Sequence, residues 1–340
     1  MNLLIKIILV CGMMFSSAYA ETAPAEVLGS PLVKPGVAGN SAAKPAQGLD
    51  QDAVCTSCHD ENDSKPILAI YQTPHGNKAD ARTPSCQQCH GQSDAHLKGV
   101  PGQKGRAAPD IVFGTKTKDH EPTLPATQND KCISCHQSGL RTHWSGSQHD
   151  MQGVTCSNCH TAHTPKDKVL ERISQPDVCF TCHQTQRSET HLFSTHPILA
   201  GKTACSECHN PHGSTGPKML VKQSTNETCY TCHAEKRGPF LWEHSPVFDD
   251  CTNCHTPHGS NNSPLLKQRV PWLCQECHTA DHASTVNSGS NLINGDVTTV
   301  DGKQTFNNLS PRAQANGLAC LNCHSMIHGS NHPAGAKFNR

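Results

Sequence analysis

Cys205-Ser206-Glu207-Cys208-His209-Asn210-Pro211-His212-Gly213-Ser214 holds one complete unit of a pattern that recurs from Cys55 to His324. Its core is C-x-x-C-H, followed at once by a second histidine. The unit returns almost unchanged as Cys251-Thr252-Asn253-Cys254-His255-Thr256-Pro257-His258-Gly259-Ser260, and the bare core occurs ten times. Numbered 1 to 10 in chain order, the motifs pair Cys55 with Cys58, Cys86 with Cys89, Cys132 with Cys135, Cys156 with Cys159, Cys179 with Cys182, Cys205 with Cys208, Cys229 with Cys232, Cys251 with Cys254, Cys274 with Cys277 and Cys320 with Cys323. Two thiols at fixed spacing with an adjoining histidine are what a covalently attached c-type haem requires: two thioethers and a proximal iron ligand. The sequence therefore predicts ten haems.

Cysteine arithmetic supports this, because ten motifs use twenty of the 21 cysteines and leave Cys11. Cys11 lies in a stretch with Lys6, an apolar run over 7–15 and Ala18-Tyr19-Ala20, the pattern of a cleaved secretory signal over 1–20. The run is well short of the roughly 20 residues a spanning helix needs. Export would permit disulfides, but a disulfide framework does not place a histidine after every pair. Structural zinc has no need of that histidine either.

Composition agrees with a core made of cofactors. Aromatic residues are 4% and hydrophobic residues 34%, with 25 Gly and 23 Pro, too little apolar mass for a bare chain to bury. The 28 basic residues less Lys6 leave 27 against 28 acidic ones, and haem propionates would add negative charge, which excludes a nucleic-acid partner.

Residues 21–50 read as a flexible Pro/Ala-rich tether. From Cys55 the first cysteines are spaced 31, 46, 24, 23, 26, 24, 22, 23 and 46 residues apart, too close for any unit to bury a core alone. The expected fold is a multihaem cytochrome c, mostly loops and short α-helices, forming an elongated haem-packed rod. The long intervals near the ends suggest two pentahaem halves, 51–194 and 195–340. Short helices are expected over 166–173 and 310–315. Val297-Thr298-Thr299-Val300 before Asp301-Gly302 predicts a small hairpin. The insertions 91–131 and 279–319 are assigned no chemistry of their own beyond His96 and His282.

The proximal histidines are His59, His90, His136, His160, His183, His209, His233, His255, His278 and His324. Fourteen others remain, whereas 21–340 holds only Met151, Met219 and Met326, so bis-histidine ligation is expected throughout. His163, His212 and His258 lie three residues after a proximal histidine, and His282 and His328 four after. That chain is too short to round a macrocycle, so these residues should serve neighbouring haems. His75, His149, His196 and His244 precede a following motif, and His96 completes ten distal ligands. His332 is the substitute; His120, His143 and His191 read as surface residues.

Cys229-Tyr230-Thr231-Cys232-His233-Ala234-Glu235-Lys236-Arg237-Gly238-Pro239 running to Trp242-Glu243-His244, the two C-H-x-P-H-G-S units, and Cys320-Leu321-Asn322-Cys323-His324 with His328-Gly329-Ser330-Asn331-His332-Pro333 go beyond the haem motif itself. From Cys55 onward the chain resembles the Mtr-type periplasmic decahaem c-type cytochromes, the MtrA/MtoA/DmsE family. The tether over 21–50 and the additional His120, His143 and His191 depart from that pattern.

The resemblance implies a rod lodged in an outer-membrane β-barrel porin, in the periplasm and associated with the outer membrane. It would carry electrons between a periplasmic or inner-membrane cytochrome and an extracellular multihaem cytochrome, in metal reduction or Fe(II) oxidation. A compact globule of this length would have a radius of gyration of roughly 20 Å, and a bilayer with headgroups is about 40 to 45 Å thick. A conduit should therefore be extended and sheathed by the barrel. A soluble periplasmic shuttle is the alternative, needing only the haems. An enzyme would need an open iron position, and no C-x-x-C-K variant signals one; the sequence predicts an electron-transfer protein without catalytic residues.

Overall fold

The computed structural model describes residues 50–63, 65–118, 121–278, 297–300, 303–306, 320–333 and 335–338. Loops dominate, punctuated by helices of three to nine residues. The buried apolar side chains among the described residues are only Ile111, Trp144, Phe180, Ile198, Ala204 and Leu266. The chain alone thus packs little core, consistent with its composition.

The ten motifs fall into two alternating local structures. In odd motifs a short helix runs into the first cysteine: Ala53–Thr56, Pro125–Ile133, Gln175–Cys179, Thr225–Cys229 and Trp272–Gln275. In motifs 1, 3, 5 and 7 the residue before the second cysteine then bonds back to a carbonyl: Ser57 to Val54, Ser134 to Lys131, Thr181 to Val178 and Thr231 to Thr228. Such hydroxyl back-bonding competes with continuation of the helix. In even motifs the helical turn starts at the first cysteine: Cys86–His90, Cys156–Cys159, Cys205–Cys208, Cys251–Asn253 and Cys320–Asn322.

Even motifs 2, 4 and 6 carry at that same position a side chain that reaches back over the N-terminus. The backbone N–H groups of Ser85, Thr155 and Ala204 donate to Gln88 Oε1 (2.9 Å), Asn158 Oδ1 (2.7 Å) and Glu207 Oε2 (3.2 Å). This is the return half of a capping box.

Odd motifs 1, 3, 5 and 7 are each clasped to the next even one by a buried polar side chain three or four residues before the first cysteine. Asp52, Asn129 and Asn226 accept the N–H of Cys86 (2.7 Å), Cys156 (2.9 Å) and Cys251 (2.7 Å). In motif 5 Pro176 occupies the position, and Gln175, one residue earlier, accepts from Ser206 N (3.0 Å). Asn226 also donates to the Val247 and Phe248 carbonyls (3.1 and 2.8 Å), and Tyr71 Oη donates to Asp52 (2.9 Å). The first cysteines of the clasped motifs lie side by side, Cys55 with Cys86, Cys132 with Cys156, Cys179 with Cys205 and Cys229 with Cys251, as do Cys274 and Cys320 without a clasp of this kind. The second cysteine of each even motif faces the following odd one: Cys89 toward Cys132 and Cys135, Cys159 toward Cys182, Cys208 toward Cys229 and Cys232, and Cys254 toward Cys277. The motifs accordingly form a file in chain order. Contacts cross the 194/195 boundary between the expected halves, including Arg172 with Glu207 and Asn210 Nδ2 to the Leu140 carbonyl (2.8 Å).

The exposed motif cysteines are all second cysteines, in odd and even motifs alike: Cys58, Cys135, Cys182, Cys208, Cys232, Cys277 and Cys323. In motifs 1, 3 and 5 the back-bonded hydroxyl lies beside the second thiol. Ser57 Oγ accordingly lies 3.8 Å from Cys58 Sγ, Ser134 Oγ 3.9 Å from Cys135 Sγ and Thr181 Oγ1 3.8 Å from Cys182 Sγ. Cys58 also opens the file, with no even motif before it to face it. All twenty motif cysteines are free of disulfides.

Two local expectations resolve differently. Over 166–173 only the turn Lys168–Leu170 is helical. Ser174 Oγ takes the Lys168 carbonyl (2.8 Å) and Gln175 Nε2 the Val169 carbonyl (2.8 Å), so the acceptors a longer helix would use are occupied. The hairpin is present, Val297–Val300 antiparallel to Lys303–Phe306 with Val297 opposite Phe306. Residues 1–49, 310–315, His120 and His282 lie outside the described residues.

Candidate haem-binding site

Nine proximal histidines each face one further imidazole. The ring pairs are His59–His96 (6.0 Å between centroids), His90–His163 (6.2 Å), His136–His75 (5.9 Å), His160–His212 (6.0 Å) and His183–His149 (6.1 Å). The others are His209–His258 (6.1 Å), His233–His196 (6.4 Å), His255–His328 (6.1 Å) and His278–His244 (6.2 Å). With a metal–nitrogen bond of about 2.0 Å and a ring centroid about 1.1 Å behind its nitrogen, two imidazoles across one metal ion sit about 6.2 Å apart. The spacing fits an iron between the rings. Direct stacking would bring them closer.

The pairings follow a rule. An even motif's histidine meets one that follows the motif two units later: His90 with His163, His160 with His212, His209 with His258 and His255 with His328. The partner is thus the second motif back rather than the adjacent one. An odd motif's histidine meets one that precedes the motif before it: His136 with His75, His183 with His149, His233 with His196 and His278 with His244. At motif 1, attached through Cys55 and Cys58, this rule runs off the chain, and His96 of the 91–131 insertion takes the place. The insertion does more: Ala107 O accepts His96 Nδ1–H (2.6 Å), Ile111 O accepts His90 Nδ1–H (3.0 Å), and the Phe113 ring stands edge-on to His90 at 5.3 Å. The insertion therefore supplies these partners of His90 and His96 as well as the expected His96.

Nδ1–H donation leaves Nε2 toward the facing ring, which fixes the tautomer an iron ligand needs. His149, His163 and His196 donate to Pro211 O (2.8 Å), Ile67 O (2.7 Å) and Pro257 O (2.7 Å). His209 and His255 donate to Lys218 O and Pro264 O, both at 3.0 Å, and His324 to Lys337 O. Burial pushes His90, His212 and His255 below the ordinary imidazole range, toward the neutral form that ligates.

The C-H-x-P-H-G-S units serve three pairs at once. In 205–214, His209 faces His258, His212 faces His160, and the Pro211 carbonyl holds His149. Gly259 is required because a Cβ there would overlap the Glu189 carbonyl oxygen. Gly213, at φ +100°, would likewise meet the His143 carbonyl. Ser260 exchanges both backbone hydrogen bonds with Ser194 (2.8 Å each), and Ser330 pairs in the same way with Trp242. This ties His258 beside His196 and His328 beside His244.

His143, His191 and His332 are exposed. Sequence reasoning passed over Asp52, Asn129, Gln175 and Asn226, although an Asp or Asn three residues before the first cysteine of motifs 1, 3 and 7 signals the clasp. It also missed the odd-even alternation, visible as Ser or Thr before the second cysteine in motifs 1, 3, 5 and 7 and Gln, Asn or Glu in 2, 4, 6 and 8.

Motifs with paired imidazoles in a short-helix scaffold define a multihaem c-type cytochrome. A family model described as the doubled CXXCH motif matches 196–238 and 244–283, and one described as cytochrome c-type protein NrfB-like matches 86–176. Multiheme cytochrome MtrA of Shewanella baltica is 42% identical over 84% of this chain and 80% of its own length, and the chain belongs to that family of multihaem electron-transfer cytochromes. Similarity extends to cytochrome c-type protein NrfB of Haemophilus influenzae (28% identical, 53% of this chain, 76% of its own). Dissimilatory sulfite reductase MccA of Wolinella succinogenes is 24% identical over 53% of this chain and 27% of its own length.

Proposed function

We propose that the chain binds ten haems, nine between the described histidine pairs and the tenth between His324 and His282, and acts as an electron conduit rather than an enzyme. Haem supplies reversible one-electron chemistry. The chain supplies attachment through the twenty motif cysteines, axial imidazoles of which ten are oriented by an Nδ1 hydrogen bond to a carbonyl or carboxylate, and clasps that hold motifs 1, 3, 5 and 7 to the motif that follows. The observation that carries the reading is the unbroken file: each motif's cysteines adjoin those of the next. A described motif whose histidine faced no second ring would suit substrate binding; all nine with described partners face one.

As an MtrA-family member, the protein fits a place in the periplasm at the outer membrane, held by a β-barrel porin and exchanging electrons with a periplasmic or inner-membrane cytochrome and an extracellular one. Among the described residues no helix is long and apolar enough to cross a membrane, so a sheath is needed for a membrane path. Purification from outer membranes under mild detergent should recover a porin with it. Recovery of all the protein as a free periplasmic species would instead establish the shuttle reading, which the NrfB-like match over 86–176 favours.

A further inference from the structure

The Nδ1 partners of the proximal histidines are not uniform. In even motifs 2, 6, 8 and 10 the partner is a backbone carbonyl, of Ile111, Lys218, Pro264 and Lys337. In motif 4 the place is taken by a carboxylate: Asp167 Oδ2 lies 2.6 Å from His160 Nδ1, and its Oδ1 lies 3.4 Å from Thr161 N. The Asp167 side chain is 15% exposed, so solvent screens it little. Among odd motifs, His59 Nδ1 lies 2.8 Å from Asp63 Oδ2, the two side chains about one-third exposed at 33% and 32%.

A carboxylate accepts the Nδ1 proton in a charge-assisted bond, and the imidazole gains anionic character toward its metal. An anionic donor, with a fixed negative charge behind it, stabilises iron(III) over iron(II). We propose that Asp167 and Asp63 are potential-setting residues, holding the sites of motifs 4 and 1 below the carbonyl-bonded sites. The step they tune is the one-electron reduction of iron(III) to iron(II), with the Nδ1 proton retained by histidine. Glu189, 3.3 Å from His258, and Glu235, 3.8 Å from His233, are longer contacts, the second also more exposed, and should act more weakly. Asp63 lowers the site of the first motif and Asp167 that of the fourth.

The proposal rests on His160 and His59 as iron ligands. The test is spectroelectrochemical titration of the full haem-loaded protein, with low-spin electron paramagnetic resonance recorded alongside. In Asp167→Asn one haem in ten should titrate higher, its oxidised-to-reduced ratio at fixed poise falling about tenfold, equivalent to 59 mV for one electron. Asp63→Asn should do the same for a different haem. Asp167→Glu, which keeps the charge, should titrate as the parent does, and so should Glu121→Gln. Low-spin Asp167→Asn and Asp63→Asn proteins with superimposable titrations would overturn the proposal while leaving the ligand reading intact, as would an Asp167→Glu shift equal to that of Asp167→Asn. A high-spin motif 4 in the parent protein would overturn the ligand reading itself.

Discussion

Replacing His212 with Ala removes one ring from the most nearly parallel pair of the 205–214 segment, His160–His212, at 6.0 Å and 9°. His160 would then face space on its distal side. The neighbour on that side is Trp144, whose ring is 6.3 Å from His212 and which offers no ligand nitrogen lone pair. Cys156 and Cys159 are untouched, so attachment should persist, and mass spectrometry should still count ten haems. One motif of ten is altered, so one-tenth of the low-spin Soret intensity should become high-spin. Carbon monoxide uptake by the reduced protein should rise from none to one per ten haems. His143, exposed on the loop whose carbonyl abuts Gly213, is the histidine placed to substitute, so the double variant His143→Ala/His212→Ala is measured in parallel. An unchanged low-spin spectrum without carbon monoxide binding in both variants would refute the pairing of His212 with His160.

Asn226→Ala removes three hydrogen bonds and leaves the Cys251 N–H without its acceptor. At about 1 kcal/mol net each, the loss should be about 3 kcal/mol, read as a lowered guanidinium midpoint; an unchanged midpoint would show the clasp to be dispensable. Gly259→Ala should force the loop off the Glu189 carbonyl, break the Ser194–Ser260 pairing and separate His258 from His209, giving a high-spin signal at one site. Chain produced without haem attachment should show a coil-like far-ultraviolet circular dichroism spectrum, because its described residues bury so few apolar side chains. A cooperative thermal transition in that material would contradict a core made of cofactors.

The sequence by itself determines the chemistry of attachment, because thioether formation demands two cysteines and a histidine at invariant spacing, and no packing can substitute for it. It also separates the remaining histidines into those close behind a motif and those ahead of one. The same strings carry the odd-even alternation, in residues such as Ser57 against Gln88 and in the recurring Asp52, Asn129 and Asn226, although single-motif inspection does not reveal it. Which ring faces which was left to the tertiary structure. His90 and His163 are far apart in sequence, and their meeting depends on where Ile67 O, Ile111 O and the intervening clasps place two loops. A ligand pair of this kind is fixed by backbone carbonyls and by loops closing over glycines, groups every residue possesses, so no local residue pattern announces it. The charge behind His160 is likewise a tertiary decision: Asp167 is one acidic residue among 28 until the fold sets its carboxylate 2.6 Å from Nδ1.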